Sequence, residues 1–258
     1  MAVVNTTPDS FYSGSRVPER ELAVARGLAA FDLGADVVDV GGESTRPGAD
    51  VVSEAEELDR VIPVIEALAA HGPVSVDTQK EAVARAAVAA GATIINDVSA
   101  SLAVVASELG VGYVAMHRQG TSATMQNDPR YDDVVAEVHG FLTDPTAAWF
   151  AGGITPLWLD PGIGFGKTVA HNLSLIRHVD DLVRRASECG AGVLLGTSRK
   201  RFLSDLGREH LEAEDRLEGT IATLAWAAAH GVAMVRVHDV AAAVRVRELA
   251  SADGGRRA

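Results

Sequence analysis

The stretch that decides the fold is VVDVGGESTRPG at residues 37–48, in which a β-branched run ends abruptly in a cluster of polar residues and glycine. The same change occurs at residues 2–9 (AVVNTTPD) and at residues 234–239 (MVRVHD). An alanine-rich segment with helical spacing follows each cluster. The chain therefore consists of repeated strand–loop–helix units, whose polar loops are candidates for one shared site.

Strand patterns recur along the whole chain, near residues 1–5, 36–41, 73–77, 92–97, 111–116, 156–159, 191–195 and 232–237. Helix formers fill the segments between them, for example residues 19–33, 54–70, 79–90 and 215–229. Glycines stand where left-handed helix caps would fall, at Gly34, Gly72, Gly91, Gly110 and Gly231. This alternation predicts an α/β fold of the (β/α)8 TIM-barrel type, a single domain over residues 1–250, with an open doubly wound sheet as the alternative.

Two segments depart from the regular pattern. Pro145 falls inside the long helix expected over residues 132–152, and because proline disrupts a helix interior, we expect a break or kink near Thr143. Residues 251–258 are small and polar, and we expect them to form a disordered tail.

Composition restricts the class of protein. A chain of 258 residues with 47% hydrophobic content can bury one large core, and a net charge of −12 argues against a nucleic-acid or anionic-membrane partner. The single cysteine, Cys189, excludes an intrachain disulfide and a cysteine-based metal cage, and is expected to be a buried structural thiol. No stretch is long and apolar enough to span a bilayer and no secretory signal is present, so a cytoplasmic protein is expected.

Polar side chains follow every predicted strand, and in a barrel these loops converge at one end. In chain order, the strand ends supply Asn5 and Asp9, Arg46, Asp77, Asn96 and Asp97, His117, residues 160–167, residues 198–201, and Arg236 with His238.

Four of these residues suit recognition of a planar heterocycle. Asp77, Asn96, Asp160 and Lys200 combine carboxylates, an amide and an ammonium group, which match the donors and acceptors of a pterin better than those of a sugar. The alternative is a buried ion-pair network that only supports the barrel.

A second group suits a phosphate. Arg236 and His238 alternate with valines, so both side chains point the same way, and a helix begins directly after Asp239. Two such groups beside a helix N-terminus predict a phosphate subsite that Arg46 and Asn5 complete. The alternative is a solvated arginine at the barrel top and a histidine that caps the helix.

The glycine-rich run at residues 162–166 matches neither a Walker loop nor a dinucleotide fingerprint. Its Phe165 is either a wall for an aromatic co-substrate or a packing residue of an ordered loop. Gly-x-Ser-x-Gly and His-Glu-x-x-His motifs are absent from the sequence. A metal, if one is used, is expected to be a hard ion held by few protein oxygens and by substrate phosphates, which points to Mg²⁺ near Asn5.

Taken together, the motifs resemble those of the dihydropteroate synthase family over essentially the whole chain. They are NTTPDSF at residues 5–11, GESTRPG at 42–48, SVDT at 75–78, NDV at 96–98, MH at 116–117, DPGIGFGKT at 160–168, SRK at 198–200 and RVHD at 236–239.

The resemblance implies a TIM-type barrel that condenses 6-hydroxymethyl-7,8-dihydropterin pyrophosphate with 4-aminobenzoate, giving 7,8-dihydropteroate and pyrophosphate in folate biosynthesis. It also implies a homodimer and a target of sulfonamides. Carried over by position, Asp77, Asn96, Asp160 and Lys200 resemble the pterin-binding residues, and Met116 belongs to the same substrate site. Asn5 resembles the Mg²⁺ ligand, and Arg236 and His238 the pyrophosphate binders. The loops and wall around the aminobenzoate correspond to Ser44, Thr45, Arg46, Pro47 and Phe165. Lys200, Arg236, His238 and Asp77 are the expected catalytic residues.

The first loop departs from the family pattern. Dihydropteroate synthases commonly continue Asp-Ser-Phe with Ser-Asp-Gly-Gly, whereas this chain has Tyr-Ser-Gly-Ser at residues 12–15, so the family's loop aspartate falls at Ser13. An alternative function is therefore a non-catalytic or weakly active pterin-binding paralogue. A third is the pterin-binding module of corrinoid-dependent methyl transfer, which the intact SRK and STRPG segments disfavour.

Overall fold

The computed structural model of the protein describes residues 1–6, 16–44, 49, 51–206 and 211–252. Strands and helices alternate along them. The strands are β1 (Ala2–Asn5), β2 (Val38–Gly41), β3 (Val74–Asp77), β4 (Ile94–Asp97), β5 (Gly112–Met116), β6 (Leu157–Asp160), β7 (Gly192–Leu195) and β8 (Met234–Val235). The helices are α1 (Arg16–Asp32), α2 (Glu54–Leu68), α3 (Glu81–Ala89), α4 (Ala103–Leu109), α5 (Val134–Thr143), α6 (Thr146–Ala151), α7 (Val169–Arg177), α8 (Val179–Glu188), α9 (Leu217–Ala229) and α10 (Val240–Ser251).

The strands form one closed parallel barrel. Each strand pairs with its neighbour in sequence order from β1 to β8. The seam closes because Val237 forms a parallel bridge with Ala2 and its carbonyl accepts a 2.9 Å hydrogen bond from the amide of Val3. The predicted barrel is confirmed, and the open doubly wound sheet is excluded.

Side chains inside the barrel form two layers, because alternate residues of a strand face the same side. The lower layer is one apolar cluster of Met1, Val37, Ile94, Val114, Trp158, Leu194 and Met234. Two residues further along these strands lie Val3, Asp39, Asn96, Met116, Asp160, Gly196 and Arg236, and Asp77 of β3 is the register partner of Asn96 at the same level. An apolar floor therefore supports a mostly polar layer at the carboxyl ends of the strands.

The helices cover the outside of the barrel and build the main core. In α2, Ser53 caps the helix by accepting a 3.2 Å hydrogen bond from the amide of Glu56, and Val61, Ile65 and Leu68 are buried. Fully burying an aliphatic side chain of this kind stabilises a fold by about 1.5–3 kcal/mol. No helix in the described part of the chain is long and apolar enough to cross a membrane.

The predicted helix break is confirmed. Helix α5 ends at Thr143 and α6 begins at Thr146, with Pro145 between them. Helix α10 continues to Ser251, one residue beyond the predicted domain end, and residues 253–258 of the predicted tail lie outside the described residues.

Two expectations about single residues are wrong. Gly34, Gly91, Gly110 and Gly231 have the predicted positive φ, but Gly72 does not. Gly72 instead lies close to Phe31. A Cβ at this position would be 2.7 Å from the Phe31 ring, so the lack of space rather than the backbone conformation favours glycine. Cys189 is exposed rather than buried, since it follows α8 in the turn before β7.

Candidate active site

Arg236 lies at the centre of the polar layer. Its Nε donates a 2.7 Å hydrogen bond to Oδ2 of Asp39, and its Nη2 donates a 2.7 Å hydrogen bond to Oδ2 of Asp77. The two carboxylates come from neighbouring strands and outweigh the effect of burial, so they raise the pKa of Arg236 above its ordinary value. The guanidinium is therefore a fixed cation between two acidic groups.

Asp77 and Asn96 lie side by side, because they are register partners of β3 and β4. Asn96 donates a 3.0 Å hydrogen bond from Nδ2 to Oδ2 of Asp39. Burial raises the pKa of the Asp77 carboxyl, and Arg236 only partly offsets this. With its pKa raised to about 7, the Asp77 carboxyl can be protonated near neutral pH and can then donate as well as accept a hydrogen bond.

Asp160 and Lys200 both lie beside Gly196, where a Cβ would be 3.9 Å from Oδ2 of Asp160 and 3.7 Å from Nζ of Lys200. Asp160 accepts a 2.8 Å hydrogen bond from the amide of Gly162, and Lys200 donates to the carbonyl of Ile163. The Nζ of Lys200 also lies 4.6 Å from the centroid of the Phe165 ring. Burial lowers the pKa of Lys200 to about 8 despite the opposing charge of Asp160, whose own pKa burial raises.

The loops after β7 and β8 are joined to each other. Arg199 makes two hydrogen bonds to Asp239, of 2.9 and 2.6 Å, and holds a left-handed backbone with φ of 57°. Ser198 Oγ accepts a 3.1 Å hydrogen bond from the amide of His238 and lies 3.1 Å from Nδ1 of its ring. A left-handed non-glycine residue persists where its surroundings hold it in place. Here the ion pair with Asp239 fixes Ser198, Lys200 and His238 relative to each other.

Arg236 and His238 are thus placed differently from each other. Arg236 joins the acidic groups of the polar layer, whereas His238 lies beside Ser198. The alternation of Arg236 and His238 with valines predicts that both side chains belong to one phosphate subsite. This sequence pattern does not predict the hydrogen bonds by which Asp39 and Asp77 hold the Arg236 guanidinium.

The other expected site residues divide into three groups. Asn5 is exposed at the carboxyl end of β1, and Ser44 is half-buried after β2. Met116 is buried and is the register partner of Asp160. Thr45, Arg46 and Pro47 lie outside the described residues, as does Ser13. Within the described ranges, no group of three His, Cys, Asp or Glu side chains is placed to hold a metal.

Asp97 has a separate, structural position although it adjoins Asn96. Its carboxylate accepts hydrogen bonds from the amides of Ser101 and Leu102 and from the hydroxyl of Tyr113, at 2.6–2.8 Å. These bonds join the start of α4 to β5. Asp97 therefore supports the barrel rather than the polar layer.

Sequence reasoning missed three features of the site. The first is Asp39, for which a signal existed: a carboxylate inside a β-branched run, two residues before the polar loop. The second is a trio at the base of the loop after β2, in which Lys80 pairs with Glu43 and with fully buried Glu57. The third is a contact between Lys167 and His117. The last two join distant parts of the chain, so no local pattern predicts them.

Comparison with known proteins agrees with this geometry. The family model for pterin binding enzymes matches residues 1–238. The dihydropteroate synthase of Neisseria meningitidis serogroup C is 42% identical over 252 residues, covering 94% of this chain and 88% of that protein.

Two solved structures extend the likeness to the fold. The Xanthomonas albilineans dihydropteroate synthase with 4-aminobenzoic acid is 48% identical with a TM-score of 0.85, over 96% of this chain and 90% of that one. The Yersinia pestis enzyme with a sulfonamide drug complex is 38% identical with a TM-score of 0.86, over 96% and 91%. The chain therefore belongs to the pterin binding enzymes and, within them, to the dihydropteroate synthases.

Proposed function

We propose that the chain condenses 6-hydroxymethyl-7,8-dihydropterin pyrophosphate with 4-aminobenzoate at the polar layer of the barrel, releasing pyrophosphate. Membership of the dihydropteroate synthases makes it a transferase of folate synthesis. The observation that carries the proposal is the ring of Asp77, Asn96, Asp160 and Lys200 around a fixed Arg236, directly above an apolar floor.

The ring supplies the groups that a pterin needs. Asp77 and Asp160 offer carboxylate acceptors for ring N–H and amino donors, while Asn96 and Lys200 offer donors for ring nitrogen and carbonyl acceptors. Met116 provides an apolar surface beside Asp160. A planar, donor-rich heterocycle would satisfy these groups better than water does.

The chemical step depends on departure of the pyrophosphate. An aryl amine is a weak nucleophile, so the rate must come from stabilising the leaving group, while the electron-rich pterin delocalises positive charge at its methylene carbon. We assign Arg236, His238 and Lys200 to the stabilisation of this developing negative charge. Arg236, which Asp39 and Asp77 hold, would act from the polar layer, and His238 would act from the loop after β8, beside Ser198. The attacking amine is neutral and loses its proton after attack, so a strong general base is not required.

The aminobenzoate would lie beyond the pterin, at the mouth of the barrel. Phe165 presents an aromatic ring next to Lys200, and Ser44 lies at the start of the loop after β2. Thr45, Arg46 and Pro47 continue that loop in sequence, and we assign them to the same side of the substrate.

Mg²⁺ is the proposed cofactor, with Asn5 as its protein ligand. Asn5 is exposed at the carboxyl end of β1, and an amide oxygen is a hard ligand that Mg²⁺ can use together with water and substrate phosphates. Mg²⁺ bound there would supply positive charge to the departing pyrophosphate.

Chelation should abolish turnover, and an Asn5→Ala variant should require more Mg²⁺ for half-maximal rate.

The function is tested by incubating the purified protein with the dihydropterin pyrophosphate, 4-aminobenzoate and Mg²⁺, and measuring pyrophosphate and dihydropteroate together. We expect the two products in equal amounts. Binding of the pterin without pyrophosphate release would instead identify a non-catalytic paralogue.

Lys200 makes the reaction sensitive to alkaline pH. A lysine is charged below its pKa and neutral above it, so with a pKa of about 8 Lys200 loses its positive charge as pH rises through that value. We expect kcat/KM for the pterin substrate to fall about tenfold per unit above about pH 8. A Lys200→Arg variant, which stays charged, should lack this decline even if its rate is lower. A wild-type profile that stays flat to about pH 10 would contradict the prediction.

A homodimer in the cytoplasm is the proposed state of the protein. The outer face of α9 exposes Ile221, Ala225 and Trp226 without a charge among them, which suits contact with a second copy. Sedimentation should give twice the chain mass, and an Ala225→Arg variant should sediment as a monomer. Cell fractionation tests the location.

A further inference from the structure

Lys167 ends the loop that follows β6, and its side chain is directed back beneath that loop. Only 3% of the residue is exposed. Its Nζ lies 2.9 Å from Nδ1 of His117, and 3.3, 3.0 and 3.0 Å from the carbonyl oxygens of His117, Gly162 and Phe165. One amino group therefore joins two carbonyls of its own loop to the end of β5.

The carbonyl oxygens of His117, Gly162 and Phe165 point at one another's neighbourhood, and the Lys167 amino group lies between them as their hydrogen-bond donor. The loop turns through left-handed glycines, with φ of 64° at Gly162, 87° at Gly164 and 64° at Gly166, which bring its carbonyls inward. Buried carbonyl oxygens without donors cost free energy, and the Lys167 amino group offsets that cost by donating hydrogen bonds to them. Burial lowers the pKa of Lys167 to about 7 although Asp160 opposes this, so the hydrogen bonds rather than a full positive charge hold the carbonyls. The His117 ring can accept from Nζ because burial lowers its pKa to about 3, which leaves the ring neutral.

The same loop carries groups of the proposed substrate site. The amide of Gly162 bonds to Asp160, and the ring of Phe165 lies beneath Nζ of Lys200. The two loop residues whose carbonyls accept from Lys167, Gly162 and Phe165, therefore also contact residues of the proposed substrate site. A shift at this point would move the Phe165 ring.

Other bonds hold the outer edge of the loop. The amide of Gln126 donates to the carbonyl of Gly164 at 2.9 Å, Tyr131 donates to Gly166 at 2.8 Å, and Asn172 accepts from the amide of Gly164 at 2.7 Å. Each of these side chains bonds a single group of the loop, whereas Nζ of Lys167 has four acceptors within reach of at most three N–H bonds, the carbonyl of His117 at 3.3 Å being the most distant. Loss of Lys167 should thus loosen the loop without unfolding the barrel.

We propose that Lys167 is a positioning residue, whose buried amino group holds residues 162–166 in the shape that presents Phe165 to the aminobenzoate. This inference rests on the proposed function, since it assigns a kinetic consequence to the loop. Lys167 itself touches no reacting atom.

The first test compares Lys167→Met, which keeps an apolar stem, with Arg85→Met. Arg85 is a cation of α3 that pairs with Glu81 of the same helix and with Glu108 of α4. We expect Lys167→Met to raise KM for 4-aminobenzoate roughly tenfold to a hundredfold, while the dissociation constant of the pterin changes by less than about threefold. Arg85→Met should change neither. A lower melting temperature with an unchanged KM would make Lys167 merely structural and would overturn the proposal.

The second test restores the missing group. Lys167→Ala removes three methylene groups and the amino group. Propylammonium added to the assay has the same size and can occupy the space that they leave. We expect propylammonium to lower KM for 4-aminobenzoate towards the wild-type value, whereas tetramethylammonium at equal concentration should not. If both cations lower KM equally, or if neither lowers it, the proposal that the amino group of Lys167 holds the loop is wrong.

Hydrogen exchange tests whether Lys167 orders residues 162–166, independently of whether the protein is active. In Lys167→Met, amides of residues 162–166 should exchange at least about tenfold faster than in wild type, and those of β5 should be unchanged. Unchanged exchange overturns the proposal even if activity falls. Wild-type protein that binds pterin but forms no dihydropteroate would refute the proposed reaction alone, since the exchange result still decides whether Lys167 orders the loop.

Discussion

Replacement of Arg236 by methionine is expected to abolish measurable turnover and to destabilise the fold by about 3–5 kcal/mol. The side chain lies between Asp39, which is fully buried, and Asp77. Without the guanidinium, two carboxylates of neighbouring strands remain in the barrel with no cation between them. The reaction also loses a positive group at the place where pyrophosphate would leave.

A second variant separates stability from catalysis. Combining Arg236→Met with Asp39→Asn removes one of the two uncompensated charges, so part of the lost stability should return while turnover stays absent. Chemical denaturation measures the first effect and product formation the second. Arg247→Met is the matched control, because Arg247 pairs with exposed Asp36 at 2.8 Å and both lie at the surface. If Arg236→Met alone is as stable and as active as wild type, the role assigned to Arg236 is wrong.

The barrel was predictable because its signal repeats. Along β2, β4, β6 and β8, an apolar residue in the floor of the barrel is followed two positions later by a charged or amide residue of the polar layer. Ile94 with Asn96, and Trp158 with Asp160, are examples. The period of two and the helical segments between strands fix both the fold and the end at which Asp77, Asn96, Asp160 and Lys200 meet.

The partners of these residues were less accessible to sequence reasoning. Whether a carboxylate faces a substrate or an arginine depends on the side chains of other strands, and Arg236 is 197 positions from Asp39. Lys167 and His117 are 50 positions apart, and their contact depends on the left-handed turns of a loop between them. Local patterns place residues at one end of the barrel, but tertiary packing decides the pairs.

The second large effect is expected at Gly162, where alanine should lower kcat/KM by about a hundredfold or more. Its backbone has φ of 64°, a conformation that side chains disfavour. A Cβ there would lie 1.9 Å from the carbonyl oxygen of His117, far inside van der Waals contact with a backbone atom that cannot rotate away. The loop must therefore move, which disrupts the hydrogen bond from Gly162 to Asp160 and the contact of its carbonyl with Lys167.

Gly153→Ala isolates the backbone contribution to this effect. Gly153 has φ of 89°, and a Cβ there would meet nothing within 4 Å, so its alanine variant carries the left-handed penalty of about 1–2 kcal/mol without a clash. It lies in the turn after α6, outside the polar layer, and its turnover should match wild type. Thermal unfolding and steady-state kinetics of both variants give the comparison. If Gly162→Ala loses no more stability and activity than Gly153→Ala, the close approach of the loop to β5 does not control the site.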